Sequence, residues 1–189
     1  MTSSYGFYTG NQERESFKKK EQQSIKQNSN LRISDYLEKQ KTLSNLALGD
    51  LLFGKEGLQQ VINFIKQFNK FTTINVRGND ISGTGFAELC EALIYCPSLT
   101  KISAEWNSIG SDPAGLSALQ KLIQKNSRIS WVDLRNNQIG TKCTGILSKL
   151  VSQANGPLYI DLRFNQINDE GARDLLYALE NTSYTSESI

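Results

Sequence analysis

ISWVDLRNNQIG, residues 129–140, contains the pattern that decides the fold of this chain. Apolar and polar residues alternate up to Asn137, and an isoleucine follows two residues later. Similar stretches end in Asn79, Asn107 and Asn165, so the four asparagines are separated by 28, 30 and 28 residues. Self-similarity at this period is typical of a solenoid, in which each repeat packs only against its neighbours.

Each repeat is predicted to contain a strand, a turn at the asparagine and a helix. In the second repeat, Ile74 and Val76 alternate with polar residues, which is the period of a strand with one buried face. Apolar residues at helical spacing follow between positions 86 and 93. The third repeat has about two extra residues around positions 111–113, which predicts a wider turn before its helix. We expect a helix in every repeat, because a period of 28 residues requires one.

The repeated asparagines have a structural explanation. A side-chain amide can both donate and accept, so it satisfies backbone groups at the turn that leaves each strand. We therefore expect a ladder of structural residues, and not catalytic ones, at Asn79, Asn107, Asn137 and Asn165. A weaker copy, residues 43–53, precedes them and has Leu51 in the asparagine position. An atypical first repeat is expected, because terminal repeats cap the exposed end of the core.

The stretches LTKISAEWNSIG, residues 99–110, and ISWVDLRNNQIG resemble the leucine-rich repeat of the ribonuclease-inhibitor type, LxxLxLxxNxLxxxG. The resemblance covers residues 43–181, or five repeats, although Cys143 replaces the usual glycine and Pro157 the leading leucine of its repeat. It implies an α/β horseshoe segment with parallel strands on the concave side and helices on the convex side. The amino-acid sequences of these repeats are also similar to those of short leucine-rich repeat proteins of centrosomes and cilia.

Composition argues against an enzyme. The chain of 189 residues contains no histidine, which removes the commonest general base and the commonest zinc ligand. Its three cysteines form no closely spaced metal-binding pair, and neither a glycine-rich phosphate loop nor a GxSxG motif is present. We therefore predict no catalytic residue, no cofactor and no metal site.

Charge and hydropathy argue against nucleic acid and membranes as partners. A net charge of +2, with a short basic run at Lys18–Lys20, predicts no binding to nucleic acid. No apolar run approaches the roughly 20 residues of a spanning helix, so we expect a soluble protein without a membrane partner. An odd number of cysteines argues against a disulfide framework and favours a reducing compartment, which predicts a cytoplasmic protein.

Three parts are predicted along the chain: a polar N-terminal arm at 1–30, the repeat domain with an N-terminal cap at 31–182, and a C-terminal tail at 183–189. In the cap, DYLEKQ, residues 35–40, predicts a short helix with Leu31, Tyr36 and Leu37 on its apolar side. The arm by itself has the composition of a disordered segment. It also contains aromatic residues that a solvating tail does not need, which favours docking on a neighbouring subunit: Tyr5, Phe7, Tyr8 and Phe17.

Residues that alternate with the buried ones are predicted to face the concave side. Tryptophan, tyrosine and arginine dominate the energetic centres of protein interfaces. The predicted partner-binding residues are Arg77, Glu105, Trp106, Trp131, Asp133, Arg135, Tyr159, Asp161, Arg163 and Phe164. The alternative is that Trp131 and Tyr159 only stack on each other, and that Arg77, Glu105 and Arg135 only form lateral ion pairs.

These features favour a non-catalytic protein that binds other proteins on its concave face. The polar arm and the likeness to ciliary and centrosomal proteins point to a component of a cytoskeletal assembly such as the ciliary axoneme. The alternative is a regulatory adaptor in the cytosol, since a GTPase-activating protein of the Ran pathway also resembles this repeat type. That family has about twice as many repeats and an acidic tail, and this chain has neither.

Overall fold

The computed structural model describes residues 33–181, in which a first helix is followed by five strand–helix units. Residues 33–40 form helix α1. The five units are β1 (Asn45–Ala47) with α2 (Gly54–Gln67), β2 (Thr73–Asn75) with α3 (Gly83–Leu93), β3 (Lys101–Ser103) with α4 (Ala114–Lys125), β4 (Trp131–Asp133) with α5 (Thr144–Ser152), and β5 (Tyr159–Asp161) with α6 (Asp169–Glu180). The predicted arm, 1–30, and the predicted tail, 183–189, lie outside the described residues.

The five strands form one parallel sheet in the order β1-β2-β3-β4-β5. Each strand is joined to the next by a helix, as parallel pairing requires. The sequence-based prediction of an α/β solenoid with a helix in every repeat is confirmed. Its physical basis is that each repeat makes one full turn and places its strand beside the preceding one in the same register.

The core lies between the sheet and the helices. The middle residues of the first four strands are completely buried: Leu46, Ile74, Ile102 and Val132. Burying a side chain of this size contributes about 1.5–3 kcal/mol to the free energy of unfolding. Ile160, the equivalent residue of β5, is only half-buried, so the packing becomes looser in the last repeat.

The asparagines connect each turn to its neighbour. Asn107 Nδ2 donates to the carbonyl of Val76 in the preceding repeat and of Ala104 in its own, both at 3.0 Å. Its Oδ1 accepts from the N–H groups of Asn79 at 3.1 Å and Ile81 at 2.9 Å. Amides that bridge a repeat and the preceding one in the same way are those of Asn79, Asn137 and Asn165. These contacts assign the asparagine side chains a structural role in the turns.

Helix α1 covers the first strand. Gln40 is buried, its Nε2 donates to the carbonyl of Ala47 at 2.8 Å, and its Oε1 accepts from the N–H of the same residue at 2.7 Å. The side chain therefore pairs with the edge of β1 as a neighbouring strand would. The predicted apolar side of this helix is partly wrong: Leu37 is buried as predicted, Tyr36 is exposed, and Leu31 lies outside the described residues. The buried residues are Ile33, Leu37 and Gln40. Spacings of four and three residues place these three on one stripe.

The extra residues of the third repeat form a separate turn. A 3₁₀ segment, Ile109–Ser111, precedes α4, and Asp112 Oδ1 accepts from the N–H of Ala114 at 2.8 Å. This is the predicted widening of the turn. A Cβ atom placed on Gly83 of the preceding repeat would lie only 2.2 Å from the carbonyl oxygen of Asp112. Glycine at position 83 therefore allows the extra residues to pack against the start of α3.

Candidate protein-interaction surface

The strands carry three lateral rows of side chains on the concave face. The first row is Asn45, Thr73, Lys101, Trp131 and Tyr159, and the second is Ala47, Asn75, Ser103, Asp133 and Asp161. The third row, where backbone N–H groups of one repeat donate to carbonyls of the next, is Gly49, Arg77, Glu105, Arg135 and Arg163. These rows hold eight of the predicted partner-binding residues, and the other two, Trp106 and Phe164, lie in the turns.

An aromatic pair occupies the C-terminal end of the first row. The rings of Trp131 and Tyr159 are nearly parallel, with centroids 6.3 Å apart and 9° between their planes. Trp131 is half-buried and Tyr159 is 53% exposed. An offset stack of this kind contributes about 0.5–1.5 kcal/mol beyond the area it buries. Together the two rings form a rigid apolar platform that faces solvent.

Below this platform, two arginines fold back onto aspartates two residues earlier. Arg135 Nη2 lies 2.6 Å and its Nε 2.9 Å from the carboxylate of Asp133, whose Oδ1 also accepts from the Arg135 N–H at 3.1 Å. Arg163 and Asp161 repeat this geometry with distances of 2.6, 3.0 and 3.1 Å. Residues two apart lie on the same face of a strand, so the sequence DLR places each arginine beside its aspartate, and the guanidinium then binds the carboxylate with two hydrogen bonds.

These two ion pairs determine which charged groups are exposed on the concave face. Asp133 is 1% and Asp161 5% exposed, so the predicted pair of partner-binding aspartates is covered by its own arginines. The hydrogen bond from Arg163 holds the pKa of Asp161 below its usual range, and the same contact raises the pKa of Arg163. Arg135 is half-buried and Arg163 exposed, so the last two repeats present guanidinium groups at the concave surface.

Glu105 is the least satisfied charged residue of the face. Its residue surface is 8% exposed, its carboxylate lies 4.0 Å from the guanidinium of Arg135, and its Oε2 has no hydrogen-bond partner. Burial raises the pKa of Glu105, and the nearby Asp133 carboxylate raises it further. The predicted lateral pairing with Arg135 is therefore long. Arg77 pairs with Asp50 of the preceding turn at 3.0 Å.

The turns after the strands expose two further aromatic residues. Trp106 is 62% and Phe164 72% exposed, and their φ angles are +58° and +60°. Leu52 of the first repeat is not among the predicted partner-binding residues, and it is 74% exposed. Gly78 and Asn136 occupy the positions equivalent to Trp106 and Phe164 in their repeats, and both residue types tolerate a left-handed φ. The left-handed turn could have been recognised from these two residues.

Metal-binding clusters, membrane-spanning helices and accessible thiols are absent from the part of the chain that the structure describes. Among residues 33–181, no cluster of three or more histidine, cysteine, aspartate or glutamate side chains could hold a metal ion. The same range contains no helix long and apolar enough to cross a bilayer. The three cysteines are buried in the core, and burial raises the pKa of Cys96 to about 11. The thiolate form required for nucleophilic reactions is therefore suppressed at neutral pH.

Comparison with known proteins supports the assignment of the repeats. A family model described as Leucine Rich repeat matches residues 69–90 and 158–176. Leucine-rich repeat-containing protein 45 of Gallus gallus is 28% identical over 105 residues, which are 56% of this chain and 16% of that protein. Ribonuclease inhibitor of Sus scrofa is 23% identical over 147 residues, which are 77% of this chain and 32% of the inhibitor. The chain thus spans less than two thirds of either relative.

Two solved structures have a similar fold. The tropomodulin C-terminal domain of Caenorhabditis elegans superimposes with a TM-score of 0.60 and 16% identity, covering 82% of this chain and 91% of that domain. Leiomodin-1 Actin-Binding Site 2 gives a TM-score of 0.59 and 13% identity, covering 76% of this chain and 85% of that structure. Likeness at these identities concerns the fold alone. In its repeat unit and in these relatives, the chain is similar to leucine-rich repeat proteins of the ribonuclease-inhibitor type, and its fold is the α/β solenoid of such repeats.

Proposed function

We propose that the protein is a non-catalytic binding module that captures a protein partner on the C-terminal half of its concave face. The observation that carries this proposal is the stack of Trp131 on Tyr159 in solvent. A strand residue on this face has no core to enter, and large aromatic side chains in water are typical of an interface. The pair is already fixed by stacking, so it loses little side-chain entropy when a partner covers it.

The arginines beside the stack set the chemistry of the partner. Arg163 is exposed, and Arg135 is within 3.5 Å of Asp161 as well as bound to Asp133. The aspartates hold the guanidinium groups in position without covering all of their donors. A partner with a carboxylate-rich, partly apolar surface would match this arrangement, because guanidinium groups bind carboxylates with two parallel hydrogen bonds.

Capture of the partner by the purified full-length chain tests this proposal. We expect Trp131→Ala combined with Arg163→Ala to abolish capture, since interface tryptophan and arginine residues each contribute about 2 kcal/mol or more. Circular dichroism of this variant should match the wild type. Tyr95→Ala, which removes an aromatic exposed just after α3, serves as a matched control and should capture normally. The proposal is wrong if the concave variant still captures and only changes on the helix side disturb binding.

We further propose that the protein belongs to a cytoskeletal assembly such as the ciliary axoneme. Support comes from the likeness of the repeats to those of ciliary and centrosomal proteins and from the similar fold of an actin-binding site of leiomodin-1. The polar arm, residues 1–30, supplies the anchor in this proposal, because a segment that folds on binding can wrap a large surface of a neighbouring subunit.

Removal of residues 1–30 tests the anchor. We expect the truncated chain to keep the circular dichroism of the repeats but to leave the cytoskeletal pellet, whereas the full chain sediments with isolated axonemes. Sedimentation of the truncated chain would mean that the arm is not the anchor. A full-length protein that is diffuse in cells and absent from the pellet would contradict the assembly itself.

A further inference from the structure

The fifth repeat leaves apolar positions open that the earlier repeats bury. Ile160, Leu162 and Leu175 are half-buried, and they line a cavity of about 440 Å³ beside β5 and α6. This volume lies within the range of ligand pockets, about 300–1,000 Å³. The equivalent residues of the fourth repeat are fully buried, because the fifth repeat covers them: Val132, Leu134 and Leu147.

The same side of the fifth repeat carries unpaired backbone donors. In each earlier repeat, N–H groups at the end of the strand donate to carbonyls of the next repeat, as that of Leu134 does to Asp161 at 2.9 Å. The N–H groups at the equivalent positions of the fifth repeat, Leu162 and Phe164, have no acceptor among the described hydrogen bonds. An unpaired strand edge is a template for another extended chain.

The asparagine ladder also lacks its next member here. Asn165 Oδ1 accepts from the N–H groups of Asn137 at 2.9 Å and Ile139 at 3.0 Å. The N–H groups of Asn165 and Ile167 themselves have no acceptor among the described hydrogen bonds. A matching ligand is therefore an extended segment with an apolar residue for the cavity and an asparagine three residues later.

The predicted arm contains such a segment. YGFYTGN, residues 5–11, aligns with TINVRGN, residues 73–79, which contains β2 and its asparagine turn. Asn11 then corresponds to Asn79, and Tyr8 to a fully buried valine. Gly10 corresponds to Gly78, at the turn position where all five repeats have a positive φ. Glycine adopts this conformation without strain.

Charge favours the arm over other occupants of the site. Helix α6 contains four acidic residues and one arginine, whereas the arm contains five lysine or arginine residues and three glutamates. The arm is therefore the segment of opposite charge. The predicted tail, 183–189, has one glutamate and no basic residue, and a second α6 would bring like charges together.

The order of the elements favours the arm of a second copy over the chain's own arm. In a repeat array, elements that follow each other along the chain are neighbours in space. The arm precedes α1, which covers β1 at the opposite end of the sheet from β5. An arm that pairs with β5 of another copy keeps this order, because it lies between the fifth repeat of that copy and its own α1.

We propose that residues 5–11 of one copy add to β5 of a second copy as a sixth parallel strand, with Tyr8 in the cavity and Asn11 as the next ladder residue. This inference rests on the proposed docking of the arm on a neighbouring subunit, and it identifies that subunit as another copy of this chain. The contact is heterologous, so copies associate into rings or open chains and not only into dimers.

The register of β2 defines the contacts of the added strand. The carbonyls of Phe7 and Thr9 take the positions whose equivalents accept from the preceding repeat, so they face the unpaired N–H groups of the fifth repeat. Tyr5 falls in the first row of the concave face, next to Tyr159, and adds a third ring to the aromatic stack. The same register directs the Phe7 side chain away from the cavity.

Sedimentation velocity of the full-length chain over a range of concentrations tests this inference. We expect the wild type to associate beyond a dimer as its concentration rises. Tyr8→Ala should associate about tenfold to hundredfold more weakly, because it removes a side chain from an apolar cavity. Asn11→Leu, which keeps the size but not the amide, should also weaken association. Phe7→Ala is the register control and should have a smaller effect than Tyr8→Ala.

A complementation experiment distinguishes a second copy from the chain's own arm. One full-length chain carries Tyr8→Ala with Asn11→Leu, and the other carries Leu175→Lys, which places a charge in the cavity. Each should keep the wild-type circular dichroism and be monomeric alone. A mixture should form a dimer with one copy of each, since one chain supplies an intact arm and the other an intact fifth repeat.

The arm variants leave the repeats unchanged, so they decide the question even if Leu175→Lys is less stable. A wild type that stays monomeric up to about 100 µM would overturn the inference, as would arm variants that associate like the wild type. A larger loss in Phe7→Ala than in Tyr8→Ala would overturn the register. The proposal that the arm anchors the protein in an assembly would still stand, because sedimentation with axonemes tests it separately.

Discussion

Replacement of Asn137 by leucine is the sharpest test of the asparagine ladder. Asn137 is fully buried, and its side chain makes three hydrogen bonds, to the carbonyls of Ala104 at 2.9 Å and Arg135 at 3.1 Å and from the N–H of Ile109 at 3.2 Å. Leucine has a similar volume and can make none of them. The change therefore isolates the polar contribution of one rung.

The three backbone groups are affected unequally. The carbonyl of Ala104 also accepts from Asn107 Nδ2, and that of Arg135 accepts from the N–H of Trp106, so each keeps a donor. Among the described hydrogen bonds, the N–H of Ile109 has no acceptor besides Asn137. An orphaned buried N–H costs about 1–3 kcal/mol, and the two weakened carbonyls add about 0.5–1 kcal/mol each, giving about 2–5 kcal/mol.

Urea denaturation followed by circular dichroism measures this cost. We expect a lower midpoint for Asn137→Leu with an unchanged slope, which would indicate lost stability without a change in the unfolded state. Asn45→Leu is the matched control, because Asn45 is exposed on the first strand, and its effect should be within about 0.5 kcal/mol. A loss below about 0.5 kcal/mol at position 137 would refute the reasoning that the amide satisfies a buried group.

Three further changes test individual charges and the strand cap. Glu105→Gln should raise the free energy of unfolding above neutral pH. The pKa of Glu105 is raised, which means that its ionised carboxylate destabilises the fold. In a series of urea denaturations, the gain in stability should shrink as the pH falls toward 4.5. Asp161→Asn should lower stability at neutral pH. Since the folded pKa of Asp161 is depressed, the difference from the wild type should begin to shrink below pH 3.8 and vanish only once the pH falls below the folded pKa, as thermal melts across pH would show. Gln40→Leu leaves both backbone groups of Ala47 unpaired and should cost about 1–3 kcal/mol in urea denaturation, unlike Gln59→Leu on the exposed side of α2.

The fold was predictable because its signal is local and repeated. Four of the five repeats contain the same asparagine after the same alternation, so the departures at Leu51 and Pro157 do not obscure the period. The period also determines the register, since equal repeats bring equal positions side by side. The N-terminal cap was harder to predict from the sequence, because the contact between Gln40 and Ala47 joins a helix to a strand without any periodic pattern.

The binding surface was predicted only in part. Alternation indicates which residues share the concave face, and it placed Asp133 and Arg135 there together. It does not indicate that the guanidinium group covers the carboxylate, because that depends on the rotamer of a long side chain. The exposed Leu52 was missed for a different reason: it occupies a different position within its repeat from Trp106, and only the left-handed turn brings both to the same edge.

The two ends of the sheet differ, and this has a consequence for local unfolding. Gln40 occupies the edge of β1, whereas Ile160, Leu162 and Ile167 of the last repeat are half-buried at positions that are fully buried in the third and fourth repeats. In a repeat array, opening proceeds from whichever terminal unit is held least firmly. Amide hydrogen exchange should therefore show a gradient, fastest in β5 and α6 and slowest near β3, with the stacked Tyr159 on the more rapidly opening unit. A partner that covers Tyr159 would slow exchange in that unit first.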